Sequence, residues 1–190
     1  MKEKRIGFAM CGSFCCHEEA LRALEELTEN FASVVPILSP CAASTDTRFG
    51  TAKELCARVE ELTGRPPITT IEEAEPIGPK GLVDALVIAP CTGATLARLA
   101  HGLTDTAVAM AAKSHLRNAK PLVIAFSTND GLSGSAANIA ALLTRRNYYF
   151  VPFGQDDCIA KPASLAADFT KIVPTVEAAL HGEQLQPMII

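Results

Sequence analysis

Leu86-Val87-Ile88-Ala89 runs straight into Pro90-Cys91-Thr92-Gly93-Ala94-Thr95 and on into Leu96-Ala97-Arg98-Leu99-Ala100-His101. The first four residues form a continuous apolar run without alternation, as expected of a strand buried on both faces of a parallel sheet. Pro90 and Gly93 bend the chain, and helical spacing resumes over Thr95–His101. The succession of apolar run, polar turn and helix recurs. Ile6–Met10 leads to Gly12-Ser13, Val34–Leu38 to Ser44-Thr45, and Leu122–Phe126 to Ser127–Asp130. In an open parallel sheet, ligands bind outside the carboxyl ends of the strands. Four polar turns at that edge make a pocket of hydroxyls and backbone N–H groups, which suits a phosphorylated cofactor.

Helical patterns separate the strands. Ala20, Leu21, Leu24, Leu27 and Phe31 recur at spacings of three and four, behind Glu18 and Glu19 in a first turn whose dipole favours acids. Ala52, Leu55, Cys56, Val59 and Leu62 repeat the pattern, with Gly64 as a stop. Residues 68–80 read as a loop with a short strand or helical turn. Further helices are expected over Asp105–Arg117, Ala136–Arg145 and Ser164–Leu180, the last kinked or divided by Pro174. Tyr148–Pro152 is the fifth strand candidate. This order predicts a single α/β domain over residues 1–190, a three-layer doubly wound (Rossmann-like or flavodoxin-like), mostly parallel sheet flanked by helices.

Composition narrows the function. With 190 residues, a net charge of −4 and no basic block, the chain offers no surface for nucleic acid. Its apolar runs fall short of the roughly 18 residues that a spanning helix needs. The apolar stretch Ile6–Cys11 breaks at Gly12-Ser13, too soon for a signal-peptide core, so a cytoplasmic protein is expected. The seven cysteines are an odd number, which favours reduced thiols over a disulfide framework. Cys11, Cys15, Cys16 and His17 superficially suggest a metal cluster, but the paired CxxC spacing of a structural zinc site is missing, and no metal is expected.

The turns carry the chemistry. A strand entering a helix through Gly12-Ser13 leaves unpaired N–H groups and a hydroxyl at an anion site, although Ser13 is equally well placed to cap the helix. Gly7 and Gly12 have the spacing of a P-loop, but Ser13 stands where its lysine would be, and no GxGxxG is present. Ser44-Thr45-Asp46-Thr47-Arg48-Phe49-Gly50 packs three hydroxyls, an acid and a base together. Arg48 there is a candidate for a carboxylate or phosphate, or for a surface ion pair. Pro152-Phe153-Gly154-Gln155-Asp156-Asp157 adds Gln155 as a hydrogen-bonding candidate. Its two acids suit a base, a helix cap or an intersubunit contact. Lys161 is a candidate for steering a dicarboxylate, and Lys113 and Arg117, four apart, suit a surface or interface.

At Pro90–Thr95 the chain resembles the flavoprotein superfamily of FMN-binding cysteine decarboxylases and flavin prenyltransferases. The family's Pro-Ala-Ser-Ala-Asn-Thr stands here as Pro90-Cys91-Thr92-Gly93-Ala94-Thr95. Its Leu-Ala-x-Gly-x-x-Asp stands as Leu99 to Asp105. The opening Gly-Ser is met by Gly12-Ser13, and the hydroxyl-rich turn before an aromatic by Ser44 to Phe49. The late Pro-x-Met-Asn is reduced to Ser127-Thr128-Asn129, where only Asn129 agrees. The resemblance implies FMN, its phosphate held by Gly12, Ser13, Ser44 and Thr45. Pro90, Cys91, Thr92 and Thr95 would bracket the ribityl chain or ring, and Asn129 would orient ring or substrate. It also implies trimers or larger assemblies, and Ala107, Ala109, Ala111 and Ala112 permit close helix packing.

The departures are informative. Ala94 stands at the motif's asparagine, and none of His17, His101, His115 or His181 is placed as the decarboxylases' active-site histidine. A decarboxylase of a cysteine-like substrate is therefore the lesser alternative. Ser44–Gly50, Ser127–Asp130, Pro152–Asp157 and Leu185-Gln186-Pro187 are instead similar to a branch found in spore-forming bacteria. Its members are one component of a two-component oxidoreductase. That likeness implies a partner subunit with the nicotinamide-binding domain, NADP as acceptor, and a pyridine dicarboxylate formed from a dihydro- or hydroxytetrahydro- precursor. A non-catalytic component that organises its partner's site is a third possibility. The catalytic residue is not identified.

Overall fold

The computed structural model describes residues 1–190. Five strands lie parallel: β1 (Arg5–Met10), β2 (Ser33–Leu38), β3 (Ala85–Cys91), β4 (Leu122–Thr128) and β5 (Tyr148–Phe150), ordered 2-1-3-4-5. β3 is buried at all seven positions, which is why its sequence does not alternate. Register brings Ile6 beside Val34 on one side and Ala85 on the other, and Ile88 beside Ile124.

The crossovers are helical. α1 (His17–Asn30) buries Ala20, Ala23, Leu24 and Leu27, and α3 (Ala52–Thr63) buries Ala52, Leu55 and Val59. Thr51 and Glu54 close a capping box on α3, and Gly64 ends it at φ +70°, a conformation that glycine adopts without strain. α5 (Gly93–His101) follows β3, α6 (Ala107–Leu116) precedes β4, α7 (Ala136–Leu143) precedes β5, and α8 (Ile172–Leu180) closes the fold. All the buried apolar residues except Ala52 and Ala109 form one contiguous cluster of 49, from Ile6 to Ala179. No helix is long and apolar enough to cross a membrane.

Three local expectations need correction. The helix expected over Ser164–Leu180 is in fact strand β7 (Leu165–Ala167), a 3-10 turn at Phe169–Lys171 and then α8. Leu165 and Ala167 are buried while Ala166 is half-buried, a period-two pattern too short to outweigh the helix propensity of Leu-Ala-Ala. Pro174 does not kink α8. It sits in the first turn, where a missing N–H forfeits no helical bond. Second, β7 pairs antiparallel with the carboxyl end of β4 and with β6 (Phe153–Gly154), so two short antiparallel strands extend the mostly parallel sheet and Tyr148–Phe150 is not its last strand. Third, β2 is followed by a short helix α2 (Pro40–Ser44), capped by Ser39, before the hydroxyl-rich loop begins. The stretch 68–80 contains the helical turn α4 (Ile71–Ala74) and a 3-10 turn, with Ile68 bridging to Ile37 beside β2.

Candidate functional site

The strand order reverses between β1 and β3, and the crevice at their carboxyl ends is where doubly wound sheets bind ligands. Three polar turns meet there. Cys11, just past β1, donates its N–H to the Pro90 carbonyl at 3.1 Å. The Thr95 hydroxyl donates to Cys11 Sγ at 3.3 Å and receives a bond from the Thr92 hydroxyl at 3.1 Å. Thr92 also caps α5 by accepting from the Thr95 N–H. Ser13 Oγ donates to the Ser127 carbonyl at 2.9 Å, and Cys16 Sγ to Ser127 Oγ at 3.2 Å. The first, third and fourth turns are thus bonded into one platform.

Gly93 is required by that convergence. A Cβ there would lie 2.6 Å from Ser135 Oγ and 2.9 Å from Thr128 Oγ1. Both hydroxyls donate to Asp130, and these two bonds, Thr128's above all, hold its carboxyl below the usual range. Gly12 approaches α2 closely as well, since a Cβ would come within 3.0 Å of Cys41 Sγ. The second turn is therefore carried to the first. The backbone N–H groups of Gly12, Ser13 and Asn129 have no backbone carbonyl acceptor, whereas that of Thr92 is turned to Cys11 Sγ. The unpaired N–H groups form a donor set for an anion, and the Ser13, Thr92 and Thr95 oxygens, their own protons already donated within the chain, are left as acceptors for the hydroxyls of a polar tail.

Each residue singled out in the sequence can now be placed. Gly12, Ser13, Pro90, Thr92 and Thr95 belong to the platform. Ser13 does not cap a helix through its side chain. Cys91 is completely buried, so it serves the crevice only through its backbone. Ser44 spends its hydroxyl on the Pro40 carbonyl, and Thr45 lines a cavity of about 240 Å³ between the first turn and the 45–55 loop. Asn129 is exposed on the turn after β4. Arg48 lies over the Phe49 ring at 4.8 Å and makes no ion pair. The Gln155 amide donates to the Pro162 carbonyl, and Lys161 pairs with Asp156 at 2.9 Å. Asp157 caps its own turn by accepting from Ile159 and Ala160 N–H, which accounts for one of the two acids structurally.

The sequence set His17 aside and read Asp130 only as part of a turn, yet both stand at the site. His17 lines the same cavity, and its Nε2 lies 2.7 Å from the Cys11 carbonyl. Burial lowers its pKa, so the ring is neutral and Nε2–H donates. Asp130 is the carboxylate nearest Gly93, and its two bonded hydroxyls at Thr128 and Ser135 straddle a stretch read only as a turn. Burial pushes Cys11 up to about 11 and raises Cys91 well above the ordinary thiol value, and both are sealed in the core out of reach of a substrate. No three His, Cys, Asp or Glu side chains are grouped to hold a metal ion.

Comparison with known proteins agrees with this architecture. The Flavoprotein family model matches residues 1–179. The B subunit of dipicolinate synthase from Bacillus subtilis (strain 168) is 43% identical over 190 residues, spanning 100% of this chain and 95% of that protein. The crystal structure of the dipicolinate synthase B subunit from Bacillus halodurans superposes with a TM-score of 0.90 at 42% identity, covering 98% of this chain and 96% of the other. The FMN-dependent cysteine decarboxylase SpaF shares the fold, with a TM-score of 0.71 at 22% identity over 95% of this chain and 98% of that one.

Proposed function

The chain belongs to the Flavoprotein family, and we propose that it is the flavoprotein-type component of a dipicolinate synthase. In this reading it works with the nicotinamide-binding A subunit of that enzyme to make dipicolinate from a dihydro- or hydroxytetrahydro-dipicolinate precursor during sporulation, with NADP accepting the electrons. One observation carries the proposal: the Gly12-Ser13, Thr92-Gly93 and Ser127–Asp130 turns converge at the β1/β3 switch point of a chain that aligns end to end with such a B subunit.

The donor set fits FMN. Gly12 and Ser13 N–H groups, with Thr45 across the adjoining cavity, would bind the phosphate. They do so without a lysine, through amide dipoles and hydroxyls. Thr92 and Thr95, fixed by their mutual bond and by Cys11, would hold the ribityl chain, and the backbone of Pro90 and Cys91 would flank it. Ser44 contributes through the fold of α2 rather than its hydroxyl. Bound there, FMN supplies a ring able to accept and return a hydride. The remaining steps belong to the chain. Asn129 offers an exposed amide on the turn after β4 for ring or substrate, Arg48 offers a guanidinium free of any carboxylate, and Gln155 and Lys161 would have to leave Pro162 and Asp156 to reach a substrate. Arg48 suits one carboxylate of a dicarboxylate, with bidentate geometry.

A cysteine decarboxylase is the lesser reading. Ala94 replaces the motif asparagine, and His17 Nε2 is already committed to the Cys11 carbonyl. The test is to combine this chain with the nicotinamide-binding partner, the precursor and NADP, and to follow NADPH absorbance. Turnover is expected only with both components present. Carbon dioxide release from cysteinyl peptides by this chain alone would support the decarboxylase instead.

A further inference from the structure

Of the seven free thiols, Cys15 and Cys16 are the only two in sulfur contact, 3.8 Å apart on the 3-10 turn Phe14–Cys16. They differ in setting. Cys15 is exposed, whereas Cys16 is half-buried, its thiol pushed up to about 11 chiefly by that burial, and donates to Ser127 Oγ at 3.2 Å, so Cys16 can act only on a sulfur already held beside it. Ser127 is the same residue whose carbonyl accepts the Ser13 hydroxyl. One residue therefore anchors both the thiol pair and the Gly12-Ser13 turn. By contrast, Cys11 and Cys91 are sealed in the core, and Cys41, Cys56 and Cys158 have no second sulfur in contact.

We propose that Cys15 and Cys16 are a thiol–disulfide exchange site at which a low-molecular-weight disulfide closes a Cys15–Cys16 bridge and unseats the Gly12-Ser13 turn. The Cys15 thiolate attacks one sulfur of the small disulfide, forming a mixed disulfide and expelling one thiolate. Cys16 then gives up its proton and attacks Cys15 Sγ, expelling the second. The two protein thiols lose two electrons and two protons, and the small disulfide becomes two thiols. Entry at Cys15 follows from exposure, and closure by Cys16 from contact.

The bridge cannot form on the present turn. Disulfides span Cα atoms roughly 4.4–6.8 Å apart, whereas neighbouring Cα atoms across a trans peptide are about 3.8 Å apart. Closure must therefore distort residues 14–16 and withdraw Cys16 Sγ from Ser127. A strained bridge of this kind is readily reduced, as a reversible site requires. The consequence for cofactor binding rests on the FMN reading, since Gly12 and Ser13 are its phosphate donors.

The experiment treats the reduced full chain with oxidised glutathione and reads intact mass, peptide mapping and amide hydrogen exchange. The expected result is a loss of two hydrogen masses mapped to Cys15–Cys16, with faster exchange confined to the Gly12–His17 segment. Dithiothreitol should reverse both changes, and Cys15→Ser should show neither. A stable glutathione adduct without closure, a bridge to Cys41 or Cys158, or unchanged exchange in the oxidised form overturns the proposal. FMN titration of the two forms separates the readings. Loss of affinity by at least tenfold, about 1.4 kcal/mol, on oxidation supports the coupling. A bridge with the expected exchange change in a chain that never binds FMN leaves the thiol site standing and removes the flavin.

Discussion

Gly93 shows how much of the site depends on one absent Cβ. Alanine there would press on Ser135 Oγ and Thr128 Oγ1 and so disturb both bonds to Asp130. Because the obstructing atoms are side-chain ends, the fold should yield by about 1–3 kcal/mol. G93A is thus expected to lower Tm by a few degrees and to weaken FMN binding at least tenfold in an absorbance titration. His115 makes a separate prediction, far from the crevice. It is almost wholly buried, and Nε2 lies 3.0 Å from the Pro121 carbonyl. Burial is the main cause that brings its pKa down to about 4, from an ordinary value of 6.5. The unfolded chain therefore binds this proton more readily than the folded one. The contribution is complete above pH 6.5 and is lost as the pH falls toward 4, on the order of 3 kcal/mol. Urea midpoints measured across that window should fall for the wild type and stay flatter for His115→Gln. A parallel decline in both would contradict the assignment. Neither feature was legible in the sequence. Gly93 read only as a bend, and His115 as one more helical histidine, because what decides each lies many residues away in the chain.

At the level of elements, the sequence was most legible where a single physical demand dominated. Continuous apolar runs located all five parallel strands to within a few residues, since burial on both faces leaves no alternation to misread. Ala52–Leu62 and Gly64 located α3 and its end. The cap itself, Thr51, lies just past the Ser44–Gly50 turn and was not marked in the sequence; its side chain accepts from the Glu54 N–H. Thr51→Ala removes the cap and is expected to cost about 0.5–2 kcal/mol. A lower urea midpoint with an unchanged m-value would register that loss, and no change would mean that the α3 terminus is held by the Asp46 carboxylate bonded to the Ala52 N–H. The β6–β7 pair was illegible for the opposite reason. Its strands are two and three residues long, and their pairing with Ser127 and Thr128 is a tertiary event without local signature.

For the whole molecule, the site's position followed from topology more securely than its chemistry followed from motifs. Alternating strands and helices imply a switch point, and the Gly12-Ser13 and Pro90–Thr95 turns lie at it, whereas the hydroxyl-rich Ser44–Gly50 turn stands across an adjoining cavity. The rim candidates fared differently. Gln155 and Lys161 proved to be engaged within the 155–162 turn, while Arg48 alone remains without a carboxylate partner. Arg48→Ala in the assembled two-component enzyme is accordingly expected to raise KM for the dicarboxylate precursor about tenfold, with FMN content unchanged. The reverse pattern, lost flavin with an unaltered KM, would move Arg48 from substrate to cofactor. The most direct test of the central claim is the visible absorption spectrum of the purified chain titrated with FMN, alongside Ser13→Ala and Thr92→Val. A shifted flavin spectrum that saturates with the wild type and is lost when both hydroxyls are removed is the predicted result. A wild-type chain that leaves the FMN spectrum unchanged would contradict it, leaving a flavoprotein fold that serves its partner without flavin.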